Sequence, residues 1–248
     1  MSFKLFLGML LIGHLVGDFY LQSNKMADRK SGSKKILVEH CSVYALSGAL
    51  FVALLGVSSC AVLFVFVLLL VSHLLIDGLV KKRALCVFEV RFQEKANLAL
   101  FLFDQFLHIV IFLFACIVLA YTEPPFAWRF GLETSWLLAL LISLKPARVF
   151  ITSLLTAYRT HHVNDLGGES DKIRGSGAAI GFMERLIVVA LALLGEYSAI
   201  AFVFTAKSIA RFKEIESNKG FAEVYLLGTL ASVGVAIFAA LLSRWLFV

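Results

Sequence analysis

The sequence holds 248 residues, 60% of them hydrophobic and 16% charged, with a formal net charge of +6. Soluble domains carry about a quarter charged residues, so a mean hydropathy of +0.89 excludes an ordinary globular domain and indicates an all-α protein that crosses a membrane several times. Long unbroken apolar runs also exclude an outer-membrane barrel, whose strands alternate in short segments.

A membrane span needs about 20 apolar residues, and the first is expected over residues 3–22, with no small-residue cleavage site of a signal peptide. Lys25, Arg29, Lys30, Lys34 and Lys35 come next. That density marks the cytoplasmic side and places the N-terminus outside. The second span, residues 36–57, ends at the Ser58-Ser59 turn, and the third, residues 61–80, returns to Lys81, Lys82 and Arg83. Residues 84–97 mix charge with large apolar side chains and predict an amphipathic helix along the interface.

The fourth span covers residues 98–121. The loop over 122–134 has Pro124-Pro125 as a breaker and Trp128 as an interfacial anchor. The fifth span, residues 136–155, is expected to kink at Pro146, with Lys145 and Arg148 at an unusual depth. A polar, glycine-rich loop over 158–177 carries His161 and His162 as ordinary loop residues. Spans six to eight are expected at 178–194, 197–211 and 222–247. The reading is eight transmembrane segments: residues 1–121 as a four-helix core and 122–248 as a C-terminal set. Cys41, Cys60, Cys86 and Cys116 form no CxxC pair and read as buried small hydrophobes. The basic loops report orientation and not nucleic-acid binding.

Seven polar residues interrupt the first four spans. His14 and Asp18 are four residues apart, about one helical turn, and so share a face. His73 and Asp77 repeat the pattern, Asp104 and His108 reverse it, and His40 heads the second span. Counted from the cytoplasmic end of each span, all seven fall in the same half of the bilayer.

An isolated aspartate in a membrane helix costs about 2.5–3.5 kcal/mol, so three would cost on the order of 8–10 kcal/mol, comparable with a whole protein's stability. Few basic residues are expected at that depth, and a divalent metal would neutralise them. Imidazole and carboxylate together suit zinc first, then manganese or iron. Seven candidate ligands (His14, Asp18, His40, His73, Asp77, Asp104, His108) exceed one tetrahedral site, which leans towards two ions over one. Gln22 and Gln105 would orient ligands from behind.

The C-terminal half holds a second polar set: Glu184, Arg185, Lys207, Arg211 and Glu223. Two readings stand. Glu184 with Lys207, or Arg185 with Glu223, form structural ion pairs; or Arg185, Lys207 and Arg211 grip an anionic group, with Glu184 beside them.

The run from His14 to Gln22, then His40, Ser72-His73-Leu74-Leu75-Ile76-Asp77 and Asp104-Gln105-Phe106-Leu107-His108 resembles a bacterial membrane-protein family catalogued as a domain of unknown function, number 3307. Gly181 to Leu186, Ala206 to Phe212 and Gly228 to Leu230 resemble a C-terminal extension found in many members. This implies a bacterial inner-membrane protein and little about its reaction. A looser similarity is to the YdjM-like membrane-bound metal-dependent hydrolases.

The leading expectation is a metal-dependent hydrolase acting on a phosphate ester or polar-headed lipid at the cytoplasmic leaflet. The seven ligands would bind metal, and His40, Asp18 and Asp77 would act in catalysis. Arg185, Lys207 and Arg211 would hold the substrate. The alternatives are a divalent-metal or proton transporter using the same residues, and a metal-stabilised scaffold. The expected partners are membrane lipid and, as an open question, a second copy of the chain.

Overall fold

A computed structural model describes residues 2–23, 26, 32–92, 95–123, 131–162 and 170–248. Lys25, Arg29, Lys30, Pro124, Pro125 and Trp128 lie outside the described residues, and the side chains of His161 and His162 are not described. The described residues form helices and their connections, with no strand among them.

Helix α1 (Ser2–His14) passes into a π-helical turn (Leu15–Tyr20). Helix α2 (Lys34–Ala53) returns beside it, and α3 (Ser59–Leu75) ends in a second π-helical turn (Ile76–Val80). Helix α4 (Lys81–Phe92) continues from that turn and lies on α5 (Ala96–Thr122), with Phe88 edge-on to Phe103 at 5.6 Å. The C-terminal part contains α6 (Leu132–Ser143), α7 (Lys145–His162), α8 (Ser170–Leu194), α9 (Tyr197–Ala210), α10 (Phe212–Ser217) and α11 (Lys219–Phe247).

Among the described residues six helical stretches are long and apolar enough to cross a membrane: Phe3–Tyr20, Lys34–Ala53, Ser59–Val80, Ala96–Thr122, Leu132–Tyr158 and Lys219–Phe247. The expected sixth span falls in the C-terminal part of α8. The expected seventh is α9, whose 14 residues reach roughly 21 Å at 1.5 Å per residue, short of a hydrocarbon core of about 30 Å. Leu46, Leu63, Phe106 and Phe114 face outward along these stretches, as lipid-facing residues would.

Two packing features position the N-terminal helices. Gly13 on α1 and Gly17 in its π-helical turn lie about one turn apart; a Cβ on Gly13 would stand 2.6 Å from the Gly48 Cα and one on Gly17 2.9 Å from the Tyr44 Cα. Small residues let membrane helices approach this closely. Ser47 Oγ also donates to the Gly13 carbonyl at 2.9 Å. At the other end, Ser58 caps α3 and donates both its N–H and its Oγ–H to Glu123, which comes just after α5.

The first core cluster runs through α1, α2, α3 and α5 and takes in Leu138, Leu246 and Phe247 from the C-terminal part. A second gathers Ala139, Val188, Val189, Ala192, Ala236, Ala239 and Ala240 where α6, α8 and α11 meet. Cys41 and Cys116 are buried as expected, whereas Cys60 and Cys86 are exposed, because their helix faces turn away from the bundle.

Pro146 does not kink a continuous helix. Helix α6 ends at Ser143, and Pro146 is the second residue of α7. Its fixed φ and missing N–H suit a first helical turn. Lys145 Nζ donates to the Phe19 carbonyl at 3.1 Å, and Tyr20 donates to the Leu141 carbonyl at 3.0 Å. The lysine that looked out of place therefore sits at the depth where α1 ends, satisfying a carbonyl of its π-helical turn.

Candidate metal centre

All seven predicted residues come together at the end of the bundle where both π-helical turns lie. Each is at most 9% exposed. A π-helical turn holds an extra residue within the helix, and such turns recur at functional sites. Here each comes after a histidine and contains an aspartate: His14 precedes the turn holding Asp18, and His73 lies shortly before the turn holding Asp77.

Four of the seven offer donors around one point, and three of them, Asp18, His40 and His73, have ligand atoms all within 4.8 Å of one another. His40 Nε2 is 3.0 Å from His73 Nε2, 3.3 Å from Asp18 Oδ1 and 3.7 Å from Asp77 Oδ2. His73 Nε2 is 3.8 Å from Asp18 Oδ1 and 3.6 Å from Asp77 Oδ2. An ion bound tetrahedrally at about 2.0–2.2 Å holds its donors roughly 3.3–3.6 Å apart. The three separations among Asp18, His40 and His73 bracket that value, so these three fit a zinc-sized ion as they stand, and Asp77 would have to move closer to Asp18 to complete a tetrahedron. Asp18 comes from α1's π-helical turn, His40 from α2, and His73 and Asp77 from α3 and its turn.

The other three stand behind. His108 Nδ1 donates to the Asp104 carbonyl at 2.8 Å, which leaves its Nε2 to accept from His73 Nδ1–H at 2.8 Å. That chain fixes the tautomer of His73 with its Nε2 lone pair turned to the four-donor point, as outer partners do for metal ligands. His40 Nδ1 is buried with no hydrogen-bond partner. If His40 holds its proton there, two Nε2 lone pairs face each other across 3.0 Å, an arrangement that a cation between them would relieve. Tyr44 stacks on His73, ring centroids 3.9 Å apart, and limits its rotation.

His14 does not join the four. Its Nε2 is 3.2 Å from Gln105 Oε1, and its ring lies 4.7 Å from that of His108. Gln105 Nε2 donates to Asp104 Oδ2 at 3.2 Å. Gln105 thus joins His14 to Asp104 behind the converging donors. Gln22 lies two residues beyond the first π-helical turn.

The residue that sequence reasoning missed is Lys81. Its Nζ is 3.1 Å from Asp77 Oδ1 and 3.1 Å from Asp104 Oδ1, with 28% of the side chain exposed. Burial works against its charge, but the carboxylates of Asp104, Asp77 and Asp18 outweigh that and hold its pKa above the ordinary lysine value. The expectation that basic residues are scarce at this depth is corrected: one ammonium reaches in from the flanking helix. The available signal was the spacing, since Asp77 and Lys81 are four residues apart on one helical face.

The second polar set is arranged differently. Lys207 Nζ donates to Glu184 Oε2 at 2.6 Å and to Thr229 Oγ1 at 3.1 Å. Arg185 Nε donates to the Ser143 carbonyl at 2.6 Å, and Arg211 pairs with Glu214 at 3.2 Å on the surface. Of the two ion pairs read from the sequence, Glu184 with Lys207 forms. Glu223 instead accepts from Tyr158 at 2.8 Å.

Fold and site together define a helical protein with six candidate membrane spans among its described residues and a buried histidine–aspartate centre. The chain belongs to the family described as protein of unknown function DUF3307, whose model matches residues 6–139. That match runs from α1 into α6 and contains all seven residues of the centre. No curated protein and no solved structure matches the chain.

Proposed function

We propose that this protein is a bacterial inner-membrane hydrolase that holds one divalent metal ion, zinc or else manganese or iron, and acts on a phosphate ester or polar-headed lipid at the cytoplasmic leaflet. The observation that carries the reading is the convergence of two imidazole Nε2 atoms and an Asp18 oxygen from three separate spans, with an Asp77 oxygen beside the two imidazoles. A divalent ion bound there supplies Lewis acidity, activating water and polarising the ester. Asp18, His40, His73 and Asp77 would hold it. His108 and Gln105 would keep their neighbours oriented.

The charge balance favours a single ion. Asp18, Asp77 and Asp104 are offset in part by Lys81, and one divalent ion brings the cluster to neutrality with the histidines uncharged. Asp18 is the most exposed of the four donors and Lys81 is more exposed still, so substrate would approach from that end. Glu184 already engages Lys207. Head-group binding by Lys207, Arg185 and Arg211 therefore requires that pair to open.

One observation favours a second reading, a metal-stabilised scaffold or a divalent-ion carrier. Asp77 Oδ2 lies near both histidines, and if it closes in on Asp18, His40 and His73, four protein donors fill a tetrahedral shell, as structural sites do, whereas catalytic sites keep a position open. The test is the protein in nanodiscs of anionic phospholipid, wild type against Asp18→Asn. About one divalent ion per chain with metal-dependent head-group release, both lost in Asp18→Asn with helicity retained, supports the hydrolase. Bound metal with no release from phospholipid or soluble phosphate esters, or metal flux into liposomes, overturns it.

A further inference from the structure

The two oxygens of Asp77 serve different partners. Oδ2 faces His40 and His73 at 3.7 and 3.6 Å. Oδ1 faces the ammonium of Lys81 at 3.1 Å, and that ammonium lies at the same 3.1 Å from Asp104 Oδ1. A carboxylate with one oxygen on each of two cations is the bridging unit of two-metal sites, where the ions stand about 3.5–4 Å apart. Here the second cation position is filled by an amino group tethered to the chain.

From this juxtaposition we infer that Lys81 is the second cation of a two-cation centre, standing where a second metal ion would otherwise bind between Asp77 and Asp104. The inference rests on the metal reading of the four-donor point and adds the occupant of the neighbouring position. The oxygen-only donor set and the partly exposed side of Lys81 suit a hard ion that keeps water ligands. Lys81 removes that ion's place by supplying its charge. An ammonium cannot accept a lone pair into a coordination shell, so the second position binds and orients anionic oxygen without activating water.

The test is manganese-to-protein stoichiometry, by elemental analysis after desalting, on the full chain in detergent loaded with manganese chloride. Wild type and Lys81→Arg should each hold one ion. Lys81→Met should hold two, because Asp77 Oδ1 and Asp104 Oδ1 are left without a cation, and the double variant Lys81→Met, Asp104→Asn should return to one. A second ion in wild type, or one ion in Lys81→Met, overturns the inference and leaves the metal reading standing. No ion in wild type overturns the metal reading beneath it. If Lys81→Met alone cannot be purified, recovery of the folded protein on adding Asp104→Asn supports the charge role. Equal failure of the two variants assigns Lys81 a packing role and overturns the inference.

Discussion

The two halves of the molecule bury polar groups by opposite means. In the C-terminal half Glu184 and Lys207 neutralise each other and Thr229 accepts a further hydrogen bond from the ammonium, so that pair is charge-balanced as it stands. In the N-terminal half three aspartates share one lysine, and two imidazoles turn Nε2 towards an Asp18 oxygen on one side and an Asp77 oxygen on the other. Excess negative charge and converging lone pairs are what a bound cation would offset. A paired Lys and Glu are already complete. Counting polar residues per span treats the halves alike; asking whether each buried carboxylate has a cation of its own separates them.

The comparison is tested most severely at the four-donor point. His40→Ala should weaken divalent-metal binding by more than about 100-fold, since loss of an outer partner alone costs 10–100-fold; isothermal titration with zinc or manganese checks it. In the C-terminal half, Lys207→Met should leave metal content unchanged and lower stability by about 3 kcal/mol, because it strands a buried carboxylate. The double variant Glu184→Gln, Lys207→Met should recover most of that loss in thermal unfolding. If Lys207→Met removes the metal instead, the halves are coupled and the contrast fails.

Smaller effects sharpen the picture. His108→Ala takes the acceptor from His73 Nδ1 and should weaken metal binding by about 10–100-fold while the stoichiometry stays at one; a loss as large as that of His40→Ala would place His108 among the direct ligands. Arg211→Ala breaks an ion pair whose partners are both largely exposed and should change stability by less than about 1 kcal/mol.

Much of the centre could be read from the sequence because membrane depth is a one-dimensional quantity. His14, His40, His73 and Asp104 could each be counted from a basic flank, and those counts place them at one height. Rotation about each helix axis could not be counted so simply. An extra residue in a π-helical turn shifts the azimuth of every later side chain on that helix, and nothing in the apolar pattern of Leu15–Tyr20 or Ile76–Val80 announces it. For that reason the sequence could name seven candidate ligands, some of them expected to orient the others, without saying which of them face inward and which stand behind. Lys81 was read only as a marker of orientation, because charge at a span's edge serves that purpose so often. Pro146 gives the same lesson for the fold: a proline inside an apolar run reads as a kink, although it equally suits the start of a new helix.

The close approach at Gly13 and Gly17 has a consequence for how the centre is assembled. Because those two positions set the spacing between the first and second helices, they also set how far Asp18 stands from His40. A methyl group at Gly13 would act as a spacer between the jaws of a clamp, parting donors that no substitution had touched. Chelation strength would then become a gauge of helix separation, readable from a position with no chemistry of its own.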